Sequence, residues 1–343
     1  MTTSPPWVTR AFLFAAALLV VAEMVARWGF ASSVEGRFEY GFHPTAGFVE
    51  SPAGRVQLVR SGGRRFFPQD YPLQRPPGTF RIFVLGDSVP RGTSVDQSYG
   101  GRLGALLRSR GTAVEVWNLC VPGYGVRRVQ TTLKQALHYS PSLVVLHLNN
   151  SNEYEDEREF RRSQEFASWH PKNWLMKSFL FRRLYEAKTE QLTWKLLPES
   201  VRARQGVNDA DAEIAASMSP TTLRQWEERV SEETRRSVSL CAAQAVPMVL
   251  VTQATLSGPV GSRSLHDAGL GALAQSLTNR EVSEVSMLET FRETDVANLY
   301  ADANHLKPPG HQRMADALLR VIDAKELLES RSARHENSFP LKP

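Results

Sequence analysis

The spacing of hydrophobic positions changes several times along the chain and predicts an alternation of strands and helices. Short apolar runs bounded by turn residues predict β-strands over 81–85, 114–118, 143–148, 247–252 and 284–288. Apolar residues with helical spacing predict helices over 99–110, 126–139, 231–245, 270–280 and 311–329. Alternating strands and helices favour an α/β fold with a parallel sheet covered by helices on both faces. In such folds ligands bind beyond the carboxyl ends of the strands.

The first hydrophobic segment is different, because it is long enough to cross a membrane. Residues 11–22 carry no charge, and flanking apolar residues extend the segment to about 20 residues, roughly the span of a bilayer. We predict an N-terminal transmembrane helix over 7–30, with Glu23 and Arg27 near its end, where both reach the interface. Arg10 on the leading side favours an N-terminus inside the cell and the bulk of the chain in the periplasm or outside. A cleaved signal peptide is the alternative, and it also exports the chain.

Composition excludes several classes of protein. With 343 residues, 42% of them hydrophobic and 22% charged, the chain can bury a large core. The net charge of +5 comes from basic residues that alternate with acids, which argues against nucleic-acid binding. Cys120 and Cys241 belong to no metal-binding pattern, so we predict no metal site and interpret both as small buried hydrophobes.

Three segments flank or interrupt the predicted α/β pattern. Residues 31–80 contain short β-like pieces and are interpreted as a connector folded on the main domain. Residues 154–230 form a predicted helical insertion, for which we favour a cap on the domain over a lid or a membrane-surface helix. The acidic run EYEDERE at its start is interpreted as a solvated helix face. The polar tail 326–343 is predicted to be flexible.

Polar residues follow the predicted strands at their carboxyl ends. Ser88 ends a Gly-Asp-Ser turn and is either a nucleophile or a helix cap. Gly123 offers a backbone N–H to an anion, and Asn152 offers a side-chain amide. Asp302 and His305 precede a rigid KPPG sequence that would present them at the same end of the sheet as Ser88. A carboxylate in this position can hold an imidazole in one tautomer and orientation.

Two further histidines are interpreted as residues outside the candidate site. His147 lies in a predicted strand and is interpreted as a core histidine. His311 opens the last predicted helix and is interpreted as a surface residue.

The four polar blocks, taken in order, resemble the SGNH hydrolases, also called the GDSL family. The resemblance covers roughly residues 81–325, and the N-terminal anchor looks like that of bacterial membrane-anchored members. It implies a three-layer α/β/α sandwich of flavodoxin-like type with a parallel sheet. The matching blocks are G-D-S at Ser88, N-x-x-x-x-G at Asn118 to Gly123, an asparagine at Asn152, and D-x-x-H at Asp302 and His305.

The resemblance implies serine-type acyl transfer without a metal or an organic cofactor. Ser88 would attack an ester carbonyl, His305 would take its proton, and Asp302 would orient the imidazole. The backbone N–H groups of Ser88 and Gly123 and the Asn152 amide would hold the oxyanion.

One block departs from the family pattern, and it leaves the oxyanion donor open. Where the family's third block usually reads G-x-N-D, residues 150–153 read NSNE, so Asn149 or Asn150 is an alternative to Asn152.

We expect an exported esterase acting on O-acetylated cell-envelope polysaccharide or on lipid esters. The alternatives are an O-acetyltransferase in polysaccharide modification, which would use the same residues, and a non-catalytic scaffold protein on the same fold.

Overall fold

A parallel five-stranded sheet forms the centre of the computed structural model. The structure describes residues 6–31, 47–61, 64–149, 220–257, 264–292 and 295–328, and between 149 and 220 only positions 152, 153, 156, 157, 175, 178, 180, 181 and 184. The strands are β1 Phe48–Ser51, β2 Arg55–Ser61, β3 Arg64–Pro72, β4 Phe80–Leu85, β5 Val114–Asn118, β6 Leu143–Leu148, β7 Met248–Thr252, β8 Ala254–Ser257, β9 Ser264–Asp267 and β10 Val282–Ser286. The helices are α1 Pro6–Ala31, α2 Ser88–Arg91, α3 Tyr99–Ser109, α4 Val126–Ala136, α5 Pro220–Ala243, α6 Gly271–Leu277, α7 Met287–Phe291, α8 Val296–Leu299 and α9 Pro308–Ala324.

The order of strands in the central sheet confirms the predicted fold class. The strands lie in the order β10-β7-β6-β4-β5, and every neighbouring pair is parallel. Numbered along the chain within this sheet, the order is 2-1-3-4-5, which is the flavodoxin-like arrangement. The direction of the order reverses at β4, so a crevice forms beyond its carboxyl end.

Alternating side chains of the strands build two cores, one on each face of the sheet. In β4, Ile82 and Val84 belong to one buried cluster, whereas Phe83 and Leu85 belong to the other. This period of two is the geometry of an extended strand. The first cluster includes side chains from α3 and α9, and the second includes side chains from α4, α5 and α6. Helices on both faces therefore complete the three-layer α/β/α sandwich.

Most predicted elements lie where the hydrophobic pattern put them, but several boundaries were wrong. Helix α5 begins at Pro220 rather than at 231, and α9 ends at Ala324 rather than at 329. The fifth strand of the sheet occupies Val282–Ser286, two residues earlier than predicted, because the Ser286 hydroxyl accepts the N–H of Glu289 and starts a helix. The last helix begins at Pro308, one turn earlier than predicted, because proline is favoured at the first position of a helix.

The predicted connector forms a separate antiparallel sheet, β1-β2-β3, which lies beside β5. The Tyr71 hydroxyl donates to the carbonyl of Val116 at 2.7 Å. The Gln69 amide bonds both the N–H and the C=O of Asn118, each at 2.9 Å. These bonds fix the end of β5, from which the Gly123 turn departs.

The N-terminal helix α1 is long and apolar enough to be a membrane anchor or a signal sequence. The segment Trp7–Ala26 has this length and composition, and most of its side chains are exposed. Near its end, the Glu23 carboxylate accepts hydrogen bonds from the Ser178 hydroxyl at 2.8 Å and the Leu180 N–H at 3.0 Å. The inserted segment therefore contacts the last turns of α1. Most of the predicted cap lies outside the described residues, as does the tail beyond residue 328.

Candidate active site

Ser88 lies at the carboxyl end of β4, at the point where the strand order reverses. The preceding Gly86 has a φ of +156°, and a Cβ there would lie 2.6 Å from Pro90 Cγ and 2.9 Å from His147 Cβ. Glycine is therefore needed for the chain to turn this close to β6. Asp87 then caps α2, with its Oδ1 accepting the N–H of Val89 at 2.9 Å. The tight turn leaves Ser88 half-buried at the end of the strand.

Asp302, His305 and Ser88 form one line of hydrogen bonds. His305 Nε2 lies 2.8 Å from Ser88 Oγ, and His305 Nδ1 lies 2.9 Å from Asp302 Oδ2. Because the carboxylate can only accept at neutral pH, Nδ1 carries the proton and Nε2 presents its lone pair to the Ser88 hydroxyl. The structure thus brings together the three residues predicted as nucleophile, base and orienting acid.

The loop that carries Asp302 and His305 is held by its own backbone. Tyr300 and Leu306 form an isolated antiparallel bridge, and the Lys307 N–H donates to Leu299 O at 2.7 Å. The Gly310 position touches the same loop, since a Cβ there would lie 2.6 Å from Leu299 O. This close packing explains why a glycine follows the two prolines. It also brings the start of α9 into contact with the loop.

Hydrogen bonds set the charges of the Asp302–His305 pair. Burial alone would raise the pKa of Asp302, but hydrogen bonds from the His305 side chain and from the backbone N–H groups of His305 and Asn304 outweigh it and lower this pKa well below its usual range. The bond to Asp302 in turn raises the pKa of His305 above its ordinary value, against the opposing effect of burial. Asp302 is therefore an anion, and the imidazolium that would form on proton transfer is stabilised.

The predicted oxyanion donors come from the ends of three adjacent strands, β4, β5 and β6. Gly123 has a φ of +72°, a left-handed conformation that favours glycine. Asn152 donates its amide to Asp87 Oδ2 at 2.8 Å, which ties it to the residue before Ser88 and leaves its second N–H for another acceptor. Asn149 is buried at the end of β6, and Asn150 lies outside the described residues.

Asn118, the first residue of the second motif block, has a structural place. Its Oδ1 accepts the N–H of Cys120 at 3.2 Å, and its Nδ2 donates to the carbonyl of Arg91 at 3.0 Å. Arg91 ends the short helix that starts at Ser88. Asn118 therefore links the turn after β5 to the turn that carries the nucleophile candidate.

Buried acids around the site were missed or misjudged from the sequence. Asp87 is fully buried, and burial raises its pKa to about 6. Glu153 and Asp156 lie in the acidic run that was predicted to be solvated, but both are buried, so that prediction was wrong. Burial and then the neighbouring Asp156 raise the pKa of Glu153 to about 8. The signal available in the sequence was the Arg-Arg pair after the Gly123 turn, which supplies the opposite charge.

His147 and both cysteines have the structural places predicted for them. His147 is buried between the Tyr99 hydroxyl at 3.3 Å and Gln253 Oε1 at 3.2 Å, which confirms a core histidine. Cys120 and Cys241 are both buried, as predicted, and both are free thiols.

His311 was predicted at the surface and is buried instead. It lies on the inner face of α9, three, four and seven residues before the buried Met314, Ala315 and Leu318, with its ring 6.2 Å from the ring of Tyr99. Burial lowers its pKa to about 4.

Comparison with known proteins gives distant structural similarities. Neither a family model nor a curated protein sequence matches the chain. The structure is similar to that of TesA, with 13% identity, a TM-score of 0.42 and coverage of 71% of this chain and 99% of that one. It is similar to LAE5, an alpha/beta hydrolase enzyme from the metagenome of Lake Arreo, Spain, with 16% identity, a TM-score of 0.41 and coverage of 73% of this chain and 96% of that one. It is also similar to AlinE4, an SGNH-hydrolase family esterase, with 13% identity, a TM-score of 0.37 and coverage of 75% of this chain and 98% of that one. Because these similarities are distant, the case for function rests on the geometry of the site.

Proposed function

We propose that this chain is a serine-type ester hydrolase of the SGNH kind. The observation that carries the proposal is the line of hydrogen bonds from Asp302 through His305 to Ser88 at the carboxyl end of the sheet. Ser88 Oγ attacks the ester carbonyl carbon while its proton passes to His305 Nε2. The alcohol then leaves with that proton, and Ser88 is acylated. Water attacks the acyl-enzyme with His305 again as the base, which releases the acid and restores Ser88.

The backbone N–H groups of Ser88 and Gly123 and the second N–H of Asn152 are proposed to hold the oxyanion. Donors fixed in advance stabilise the charge that develops on the carbonyl oxygen in the transition state. The hydrogen bond from Asn152 to Asp87 supports this assignment. Asp87 directly precedes Ser88, so the bond holds the amide close to the proposed nucleophile.

We further propose that the domain works outside the cytoplasmic membrane, anchored by α1. The apolar, mostly exposed segment Trp7–Ala26 and Arg10 on its leading side support this arrangement. A site held near the bilayer suits O-acetyl groups on cell-envelope polysaccharide or lipid esters.

Hydrolysis of p-nitrophenyl esters, from acetate to laurate, tests the proposal with the full chain in detergent micelles. Ser88→Ala is expected to lower kcat by about 10⁴-fold or more, because the nucleophile is lost. Ser109→Ala, at an exposed serine on α3, is the control and should match the wild type. Full activity in Ser88→Ala would overturn the proposal. A maximum at acetate would favour acetyl esters, and a maximum at long chains would favour lipids.

A further inference from the structure

The first residues of the insertion contact the loop that carries one of the proposed oxyanion donors. Arg128 Nε donates to Asp156 Oδ1 at 2.5 Å, and Arg128 Nη2 donates to the carbonyl of Gly123 at 2.6 Å. The side chains of this ion pair are only 3% and 1% exposed. A buried guanidinium therefore joins the insertion to the turn at Gly123.

The same acids complete the start of helix α4, which follows the turn. The N-cap residue Gly125 supplies no side-chain cap, so the first N–H groups need other acceptors. Glu153 Oε1 accepts the N–H of Val126, and Asp156 Oδ2 accepts the N–H of Arg127, both at 3.0 Å. A Cβ on Gly125 would lie 2.6 Å from Asp156 Cβ, so glycine is what allows the approach.

Contacts of the Gly123 turn on both sides leave its peptide groups little freedom. Gly123 has left-handed backbone, and its carbonyl is held by Arg128. The guanidinium also lies over the ring of Tyr124, 4.7 Å from its centroid, which fixes the arginine in place. The carbonyl held by Arg128 belongs to the peptide between Gly123 and Tyr124, and the N–H of that peptide donates to Val121 O at 3.2 Å, which closes a tight turn around Gly123. Because this turn is closed by the Val121 bond and held by Arg128, the N–H of Gly123 within it has little freedom of direction. Asn152, the other donor candidate from this region, is held through Asp87.

We propose that Arg128 and Asp156 are positioning residues of the oxyanion hole, which they organise by holding the carbonyl of Gly123 and with it the turn that carries the Gly123 N–H. This inference rests on the proposed function. The start of the insertion then has a defined role, because Asn152 supplies one donor and Asp156, through Arg128, holds the turn that carries another. The reaction would depend on the start of the insertion being docked on α4.

An apolar replacement of the ion pair separates positioning from stability. Removing one partner leaves a buried charge alone, whereas replacing both by apolar residues of similar volume is often tolerated. We therefore compare the wild type with the double variant Arg128→Met/Asp156→Leu. The control is the same pair of substitutions at the half-exposed ion pair of Arg110 and Asp323, which lies outside the site.

The readouts are kcat and KM for a p-nitrophenyl ester, the melting temperature, and the affinity for a trifluoromethyl ketone. The ketone forms a tetrahedral adduct with the serine and presents an oxyanion. We expect the double variant to lose about 10- to 100-fold in kcat and in ketone affinity with KM unchanged, since one donor is mispositioned rather than removed. The control pair should retain wild-type values.

Arg128→Lys keeps the proposal testable if the apolar pair fails to fold. Lysine retains the charge but lacks the fork that reaches both Asp156 and Gly123, so kcat should fall by about tenfold. Wild-type kcat in a folded double variant or in Arg128→Lys would overturn the inference and leave the proposed function standing. A wild-type chain with neither ester turnover nor a covalent serine adduct would overturn both.

Discussion

Asp302 changes what His305 can do at a given pH. The carboxylate keeps its charge because it accepts hydrogen bonds from the histidine side chain and the loop backbone. It holds the imidazole in the tautomer that accepts a proton from Ser88, and it raises the pKa of His305. The raised pKa has two opposing consequences for catalysis. It makes His305 a stronger base, but His305 is neutral, and so able to act as a base, only at higher pH.

The pH dependence of activity follows from this shift. His305 acts as a base only when neutral, so kcat/KM should rise with pH through an apparent pKa above the ordinary value of about 6.5. Asp302→Asn removes the cause of the raised pKa and should cost about 10⁴-fold in kcat. A pH profile measured with p-nitrophenyl acetate checks both. An ascending limb well below pH 6 in the wild type would contradict this account.

The raised pKa of His305 also affects stability, with a definite sign. Protonated His305 gains from Asp302 in the folded state, so this contribution is fully present below pH about 6.5 and is lost as pH rises through the folded pKa. Asp302 has the opposite sign, because its pKa is lowered on folding and its contribution is lost as the solution is acidified.

Gly86 is a second position at which one residue decides the geometry of the site. Gly86→Ala should lower the free energy of unfolding by about 1–3 kcal/mol, because the new Cβ combines a disfavoured φ with contacts to Pro90 and His147. Gly111→Ala is the matched control, since Gly111 also has positive φ but no atom within 4 Å of its Cβ position. Urea unfolding of both variants gives the comparison. Equal losses would show that contact with Pro90 and His147 costs nothing.

Arg81 joins several elements around the start of β4. It is fully buried, with Nε 2.8 Å from Glu115 Oε2 on β5. Its Nη1 donates to the carbonyl of Tyr139 and its Nη2 to that of Pro72, both at 2.8 Å. The residue therefore ties the small antiparallel sheet to the parallel one.

Replacing Arg81 should be among the most costly single changes in the chain. We expect Arg81→Met to lower the free energy of unfolding by about 3–5 kcal/mol, because Glu115 and three backbone carbonyls lose their partner. Arg55→Met, which breaks the half-exposed pair with Asp70, should cost at most about 1 kcal/mol. Urea unfolding at neutral pH measures both. A similar small loss in the two variants would contradict the role given to Arg81.

Elements with one regular hydrophobic pattern were predictable, and elements defined by a distant partner were not. Val114–Asn118 and Leu143–Leu148 were predicted to the residue, because strands of this sheet are apolar and end at turn residues. The prediction that the acidic run is solvated was wrong because the charge of Asp156 is compensated by Arg128, 28 positions earlier in the chain. No local pattern distinguishes such a residue from one on a solvated helix.

At the scale of the molecule, the sheet topology explains why the site residues could be grouped from the sequence. Ser88, Gly123, Asn152 and His305 are widely spaced in the chain, but each follows a predicted strand at its carboxyl end. A parallel sheet brings those ends to one edge. What could not be derived was the second set of contacts, in which Asp87 holds Asn152 and Arg128 holds Gly123.

The N-terminal helix gives a prediction for the whole chain. If Trp7–Ala26 is an anchor, the protein should stay with the membrane after washing with alkaline carbonate, and deletion of residues 1–31 should release it. In spheroplasts, added protease should then digest the domain, because the proposed orientation places the bulk of the chain outside the membrane. A mature protein whose N-terminus starts after residue 31 would show a cleaved signal sequence instead.

The activated serine is the central claim, and covalent labelling tests it most directly. The full-length protein would be treated with a fluorophosphonate, and the adduct would be located by mass spectrometry of the digested chain. The account predicts a single phosphonylated residue, Ser88, with labelling lost in Ser88→Ala and strongly slowed in His305→Ala, because the hydroxyl depends on its base. A folded wild-type protein that remains unlabelled, or one labelled at another serine, would contradict it.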